Sequence, residues 1–290
     1  MPSLSSITPE SRFMGLFIGP TKCGKTCAAA SFRSNDDEII DILDFDGRIR
    51  GILGAPWINK KNITYTTYPP REPNLVEKIE KKLEVYETYR ITGQYQNLPT
   101  TLILDSLTSQ TLAMVYQALP LTHNKGGAGE KKTGRFVGGF AMTGPDDYNF
   151  EAQTTYSILS FLRSIPIKNI IVTAHVVPVY GKEDPENPFS QTIVVGETLS
   201  IRPKIAANVG IYFDQCFRFN KSEAAFGKEK YTVKFRGSEP LGTSYPELPE
   251  GEVDITGKNF YNDILMKYIK SPTVLEVVKW LVLLVVVKNI

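Results

Sequence analysis

Eight residues near the start of the chain, Gly19-Pro20-Thr21-Lys22-Cys23-Gly24-Lys25-Thr26, constrain its fold more than any other stretch. Two glycines bracket four residues, and Lys and Thr follow the second. That order suits a loop built to cradle phosphate. The glycines let the backbone turn tightly enough to aim successive N–H groups at phosphate oxygens. Lys25 has the reach for β- and γ-phosphates, and the Thr26 hydroxyl is placed to ligate Mg²⁺. Such a loop needs a buried strand before it and a helix after it, whose positive N-terminal end adds to the site. The flanks meet both needs. Phe13-Met14-Gly15-Leu16-Phe17-Ile18 reads as a buried strand, and residues 27–32 (Cys-Ala-Ala-Ala-Ser-Phe) read as a close-packing helix. Gly19, Pro20, Thr21, Lys22, Cys23, Gly24, Lys25, Thr26 and Cys27 are therefore the candidate nucleotide-binding residues.

Three further strands present polar groups at their ends. Residues 39–45 end in Asp44-Phe45-Asp46-Gly47, which places acids where a strand emits a loop. Thr100-Thr101-Leu102-Ile103-Leu104-Asp105-Ser106 is an apolar strand closed by an acid, a Walker B pattern. Asp105 would hold Mg²⁺ opposite Thr26, or else cap the helix that follows. Residues 168–175 form another buried strand that ends in His175, either a γ-phosphate sensor or a satisfied structural histidine. Between them, Leu75, Val76, Ile79, Leu83 and Tyr86 recur at helical spacing, so a helix is predicted over 73–92. Others are predicted over 106–119, 146–164 and 259–269, with β-type runs over 63–68, 209–219 and 231–235. Strands alternating with helices place the chain in the α/β class with a mainly parallel central sheet flanked by helices.

Composition narrows the functional classes. The chain has 290 residues, 42% of them hydrophobic, enough for a sizeable core. Its 33 basic and 31 acidic residues leave a net charge of +2, so whole-chain charge does not point to a polyanion and any such site must be local. Three cysteines with no framework argue for a reducing compartment, and the reading is cytoplasmic. Residues 1–11 read as a loose arm, 12–270 as the phosphate-loop domain and 271–290 as an apolar tail. Within that tail, residues 274–287 carry Glu276 and Lys279 and fall short of a span, which favours packing over membrane insertion.

Two stretches lack periodicity. Residues 121–144 are rich in glycine, with Lys125, Lys131, Lys132 and Arg135 outweighing Glu130 and with Phe136 available to stack on a base. This is either a solvated insertion or a nucleic-acid contact. Residues 176–202, broken by Pro178, Pro185 and Pro188, read as a second irregular segment. Arg218, Lys234 and Arg236 lie where strand neighbours could reach a nucleotide held by an adjacent subunit.

In this order the pieces resemble the RecA-like recombinase ATPases, most nearly the compact phage-encoded members of single-strand annealing and recombination. The likeness runs from about Arg12 to Gly237. It implies an ATP and Mg²⁺ cofactor pair, catalytic roles for Lys25, Asp46, Asp105 and His175, and metal ligation by Thr26 and Asp105. The family's water-polarising glutamate falls on Asp46 and its sensor glutamine on His175. The resemblance also implies single-stranded DNA held by the two irregular segments, a homo-oligomer, and a single-strand DNA-binding protein as a further partner. Aspartate is one methylene shorter than glutamate, which predicts slow hydrolysis. The expected function is a DNA-dependent ATPase of recombination or annealing. The rivals are a nucleotide-gated binding module with little turnover, a helicase motor, and a small-molecule kinase, for which no compact Arg-bearing lid is evident.

Overall fold

The computed structural model describes residues 12–123, 134–137, 140–184, 186, 190–223, 227–235, 248–249 and 251–269. Strand β1 (Phe13–Gly19) is buried along its whole length. Its side chains alternate between two cores, as a pleated strand requires. Met14, Leu16 and Ile18 enter one, Phe13 and Phe17 the other. Helix α1 (Lys25–Ala29) leaves the glycine loop. Then follow β2 (Ile40–Asp44), β3 (Ile63–Thr67), α2 (Leu75–Ile91), β4 (Thr101–Asp105) and α3 (Leu107–Thr122). A small ribbon, β5 (Arg135–Val137) and β6 (Phe140–Met142), precedes α4 (Pro145–Ser164). The second half contains β7 (Asn169–Lys182), β8 (Thr192–Leu199), α5 (Pro203–Asn208), β9 (Gln215–Glu223), β10 (Glu229–Lys234) and β11 (Glu252–Asp254). A π-wound turn over Phe260–Leu265 runs into α6 (Met266–Ile269).

The central sheet has the order β11-β10-β9-β1-β7-β4-β2-β3, with β8 joined to β7. From β9 to β3 every neighbouring pair is parallel, while β10, β11 and β8 add antiparallel edges. The protein is thus a mixed α/β fold with a mostly parallel central sheet flanked by helices. Parallel strands covered on both faces are buried along their whole length, as β1, β2 and β4 are, and Asp41 within β2 is paired with Tyr86 and Lys82. One face carries an aliphatic core that includes Leu75, Ile79 and Leu83 of α2 with Leu159 and Leu162 of α4. The other carries Phe17, Phe32, Phe217, Phe219, Phe235 and Phe260.

Four expectations need correction. The stretch 121–144 is not irregular throughout: α3 runs to Thr122, and β5 pairs with β6 within it. The helix expected over 27–32 occupies Lys25–Ala29 instead. Its last turn tightens to three-residue bonds, Ser31 N to Ala28 O at 3.2 Å and Phe32 N to Ala29 O at 3.0 Å. That turn delivers Phe32 to the ring of Phe13, 5.3 Å away between centroids. Residues 176–202 are not irregular. β7 continues past His175 to Lys182 and pairs antiparallel with β8 in a hairpin whose register shifts between Val179 and Tyr180. The β-branched run Thr192-Ile193-Val194-Val195 drives that pairing more strongly than Pro178 opposes it. Residues 209–212 form a 3₁₀ turn, and the strand expected over 209–219 begins only at Gln215. Among the described residues no helix is long and apolar enough to cross a membrane. The arm 1–11 and the tail 271–290 lie outside the described residues.

Candidate functional site

The loop geometry follows from close approaches. A Cβ on Gly19 would run into the Phe219 carbonyl and lie 2.7 Å from Cys23 Sγ, so only glycine fits between β1 and β9. Gly24, with φ of 93°, makes the left-handed step into α1 that a side chain would resist. Lys22 takes a similar conformation, with φ of 64°. Lys25 is 5% exposed, and its ammonium donates to Gly19 O at 2.9 Å and Pro20 O at 2.8 Å. Burial lowers its pKa, partly offset by Cys23, Asp105 and Asp46. Burial likewise raises the Cys23 thiol, and it pushes Cys27, near Asp105, up to about 11. Both sulfurs therefore stay protonated near neutrality and are poor nucleophiles.

Sheet register gathers the acids. Asp44 of β2 stands beside Asp105 of β4. The turn after β2 is tied down by Phe45 N and Asp46 N, which donate to Asp105 O at 2.6 and 3.2 Å. Asp105 is 2% exposed. Its Oδ2 accepts from Thr26 Oγ1 at 2.8 Å, and its Oδ1 accepts from Thr173 Oγ1. Burial raises its pKa against the pull of those two hydroxyls. A hydroxyl and a carboxylate meeting this closely form an all-oxygen donor pair, which suits a hard cation that takes its remaining ligands from water and phosphate. Thr26 and Asp105 thus fit Mg²⁺. The Asp105 side chain does not cap α3; Ser106 does, accepting from Ser109 N.

Asp46 and His175 form a second unit. Asp46 Oδ2 lies 2.9 Å from His175 Nε2, while Oδ1 accepts from Ser106 Oγ at 2.7 Å and from Ser109 Oγ. Burial alone would raise this carboxyl, but donation from His175, Ser109 and Ser106 holds it well below the ordinary carboxylate range. The other imidazole nitrogen, Nδ1, is 3.3 Å from Lys25 Nζ. The His175 backbone N–H donates to Thr108 Oγ1 at 3.0 Å, which pins the strand end to α3.

These groups line one cavity of about 360 Å³, a volume within the range of small-ligand sites. Lys25, Thr26, Asp46, Asp105 and His175 all reach it, together with Thr21, Lys22, Cys23, Gly24 and Cys27. Its remaining wall comes from residues that carry no sequence motif. Arg48 and Trp57 belong to the segment after β2, Tyr231 to β10, and Lys258 and Phe260 to the closing segment. The one local hint is the glycine at 24, whose missing side chain leaves room for the Tyr231 ring, 3.4 Å from where a Cβ would stand.

The other candidate residues lie elsewhere. Lys125, Lys131, Lys132 and Arg236 fall outside the described residues. Arg135 and Phe136 have their backbones on β5, paired with Met142 and Ala141 of β6. Arg218 is 8% exposed and engaged within its own subunit. Its Nε and Nη2 reach the Glu197 carboxylate at 2.8 and 2.6 Å, and its Nη1 donates to Phe219 O. Lys234 sits opposite Arg218 on β10.

No protein-family model matches the chain, and no curated protein does. Similar solved structures include the RadB recombinase, at 14% identity and a TM-score of 0.37 over 85% of this chain and 89% of that one. An uncharacterised protein from Pyrococcus horikoshii, solved with an unknown peptide, aligns at 9% identity and a TM-score of 0.38 over 77% and 83% of the two chains. A prototypical ATPase from the type III secretion system of pathogenic bacteria aligns at 15% identity and a TM-score of 0.38, over 72% of this chain and 52% of its own length. Likeness at this level leaves function to be argued from the site itself.

Proposed function

We propose that the chain is a Mg·ATP-dependent, RecA-like ATPase that couples nucleotide hydrolysis to single-stranded DNA in recombination or annealing. The observation that carries the ATPase reading is convergence. A phosphate loop, its lysine, a hydroxyl–carboxylate pair and an acid–imidazole pair, drawn from four parallel strands and one helix, face a single cavity. Lys25 would exchange its bonds to the Gly19 and Pro20 carbonyls for phosphate oxygens. Thr26 and Asp105 would hold Mg²⁺, whose chemistry is to neutralise charge on the β- and γ-phosphates. Asp46 and His175 stand at the same end of the sheet, where an attacking water must be oriented. Arg48, Trp57, Tyr231 and Lys258 supply aromatic and cationic surface for the nucleoside.

The DNA and assembly roles rest on sequence. The lysines of residues 121–144 supply local positive charge on a chain of near-neutral net charge, and Lys234 and Arg236 are the candidates to act across a subunit interface. One observation favours a second reading, a nucleotide-gated binding module. Both Asp46 oxygens are already engaged, and a carboxylate so stabilised is a weak base. ATP binding and hydrolysis by the full chain, with and without single-stranded DNA and beside Lys25→Ala, separate the readings. DNA-stimulated turnover abolished by Lys25→Ala supports the ATPase. ATP-dependent DNA affinity without turnover supports the gated module. Failure to bind ATP overturns both.

A further inference from the structure

The acid–imidazole pair has a polarity that the general picture of a carboxylate base does not anticipate. A protonated lysine offers only donors. With Lys25 Nζ at 3.3 Å, we assign His175 Nδ1 as the accepting nitrogen, which places the ring hydrogen on Nε2. Nε2 then donates to Asp46 Oδ2 at 2.9 Å. The second Asp46 oxygen is occupied by the hydroxyls of Ser106 and Ser109. Three protein donors thus occupy Asp46, whereas His175 turns a lone pair toward the lysine of the phosphate loop. Fixing the ring from behind by a half-buried carboxylate, itself anchored by two hydroxyls, sets tautomer and orientation together.

We propose that His175 is the general base of ATP hydrolysis and that Asp46 is a positioning residue acting through it. This rests on the ATPase reading above. When Lys25 turns to the phosphates, Nδ1 is released with its lone pair directed into the cavity. The oxygen of a water molecule bonds to the γ-phosphorus, and the bond from that phosphorus to the β,γ-bridging oxygen breaks. Its electron pair leaves with ADP, and the water's proton passes to Nδ1. The resulting imidazolium keeps its Nε2 hydrogen on the anionic Asp46. Phosphate release returns Lys25 to Nδ1 once the proton has left to solvent. The charged groups facing the ring are Lys25 on one side and Asp46 on the other, with Asp105 beyond Lys25.

The division of roles makes the test specific. Single-turnover ATP hydrolysis and ATP affinity would be measured for the full chain, His175→Gln, His175→Ala and Asp46→Asn, with and without added imidazole. His175→Gln should bind ATP within about threefold of wild type and lose about 10²–10⁴-fold in rate. Asp46→Asn should lose rate with similar ATP affinity, because the amide no longer fixes the tautomer. Added imidazole should restore part of the lost rate to His175→Ala and none to Asp46→Asn. A His175→Gln rate within a fewfold of wild type, or no rescue of a His175→Ala chain that still binds ATP, overturns the proposal and returns the base to Asp46. ATP binding without any single-turnover hydrolysis also overturns the proposal, in favour of the gated module. Absence of ATP binding instead overturns the ATPase reading on which it rests.

Discussion

Glu151, on α4, is 2% exposed, and its Oε2 lies 3.4 Å from Arg202 Nε with no hydrogen bond to it. Burial pushes its pKa up to about 7, against the opposing pull of Arg202. The unfolded chain releases this proton at about pH 4.5, so between there and about 7 the folded state holds a proton that the unfolded state has lost. The contribution to stability is therefore greatest in acid, declines as pH rises through that window, and is lowest above it. Glu151→Gln removes the penalty. Denaturant unfolding should show the variant gaining about 1–3 kcal/mol over wild type at about pH 8 and little at about pH 4. A gain equal at both pH values would refute the assignment. Among the site residues, the contrast between local and non-local information decides which are legible in sequence. Lys25 and Thr26 are legible because their chemistry is fixed by spacing within one loop, and Asp105 because it ends an apolar strand. Trp57, Tyr231 and Lys258 are not, because three separate segments bring them to the cavity and none carries a local pattern.

At the scale of elements, β7 shows where sequence reading fails and why. Its first half, Asn169 to His175, is apolar and largely buried, and the strand is evident. Its second half carries Pro178 and Gly181, residues that punctuate loops, yet it is half of a hairpin. A proline can occupy a strand where its missing N–H is not needed, and Gly181 gives up a side chain that would lie 2.8 Å from Val195 Cγ1. Pairing across the hairpin, not pattern along it, makes the element. The base of the hairpin is anchored to the sheet beside the phosphate loop by Glu197 on Arg218. Arg218 is buried while Glu197 is partly open to solvent. Glu197→Gln should therefore cost about 1–2 kcal/mol in unfolding free energy, less than the loss of a fully buried pair. The pair should also be felt at the loop, since Arg218 lies against Gly19. Weakened ATP affinity in Glu197→Gln, with the β-sheet signal unchanged by circular dichroism, is the expected pattern. Unaltered affinity would confine the pair to stability.

For the molecule as a whole, the cavity joins parts that are far apart in the chain. Its floor is the loop after β1, one wall follows β2, and the other comes from β10 and the closing turn. Phe260 belongs to both that wall and the aromatic core, with ring centroids of Phe17, Phe217 and Phe219 at 5.6, 5.7 and 5.5 Å. Phe260→Ala should thus lower stability by about 3–5 kcal/mol, as for other buried phenylalanines. A ligand gripping all the walls favours only the folded chain, because no unfolded segment contains them together. Its effect follows from mass action, about 2.7 kcal/mol at one hundred times the dissociation constant. Mg·ATP should accordingly raise the melting temperature of the wild-type chain by several degrees, with the increment growing as the logarithm of its concentration. Lys25→Ala, which lacks the phosphate-reaching group, should melt near the wild-type temperature without nucleotide and show little increment with it. Its ammonium is buried and bonded to carbonyls of its own loop, so truncation relieves a desolvated charge as it removes two hydrogen bonds. An equal increment in wild type and variant would mean that nucleotide binds elsewhere, and the cavity beside β1 would lose its claim to be the site.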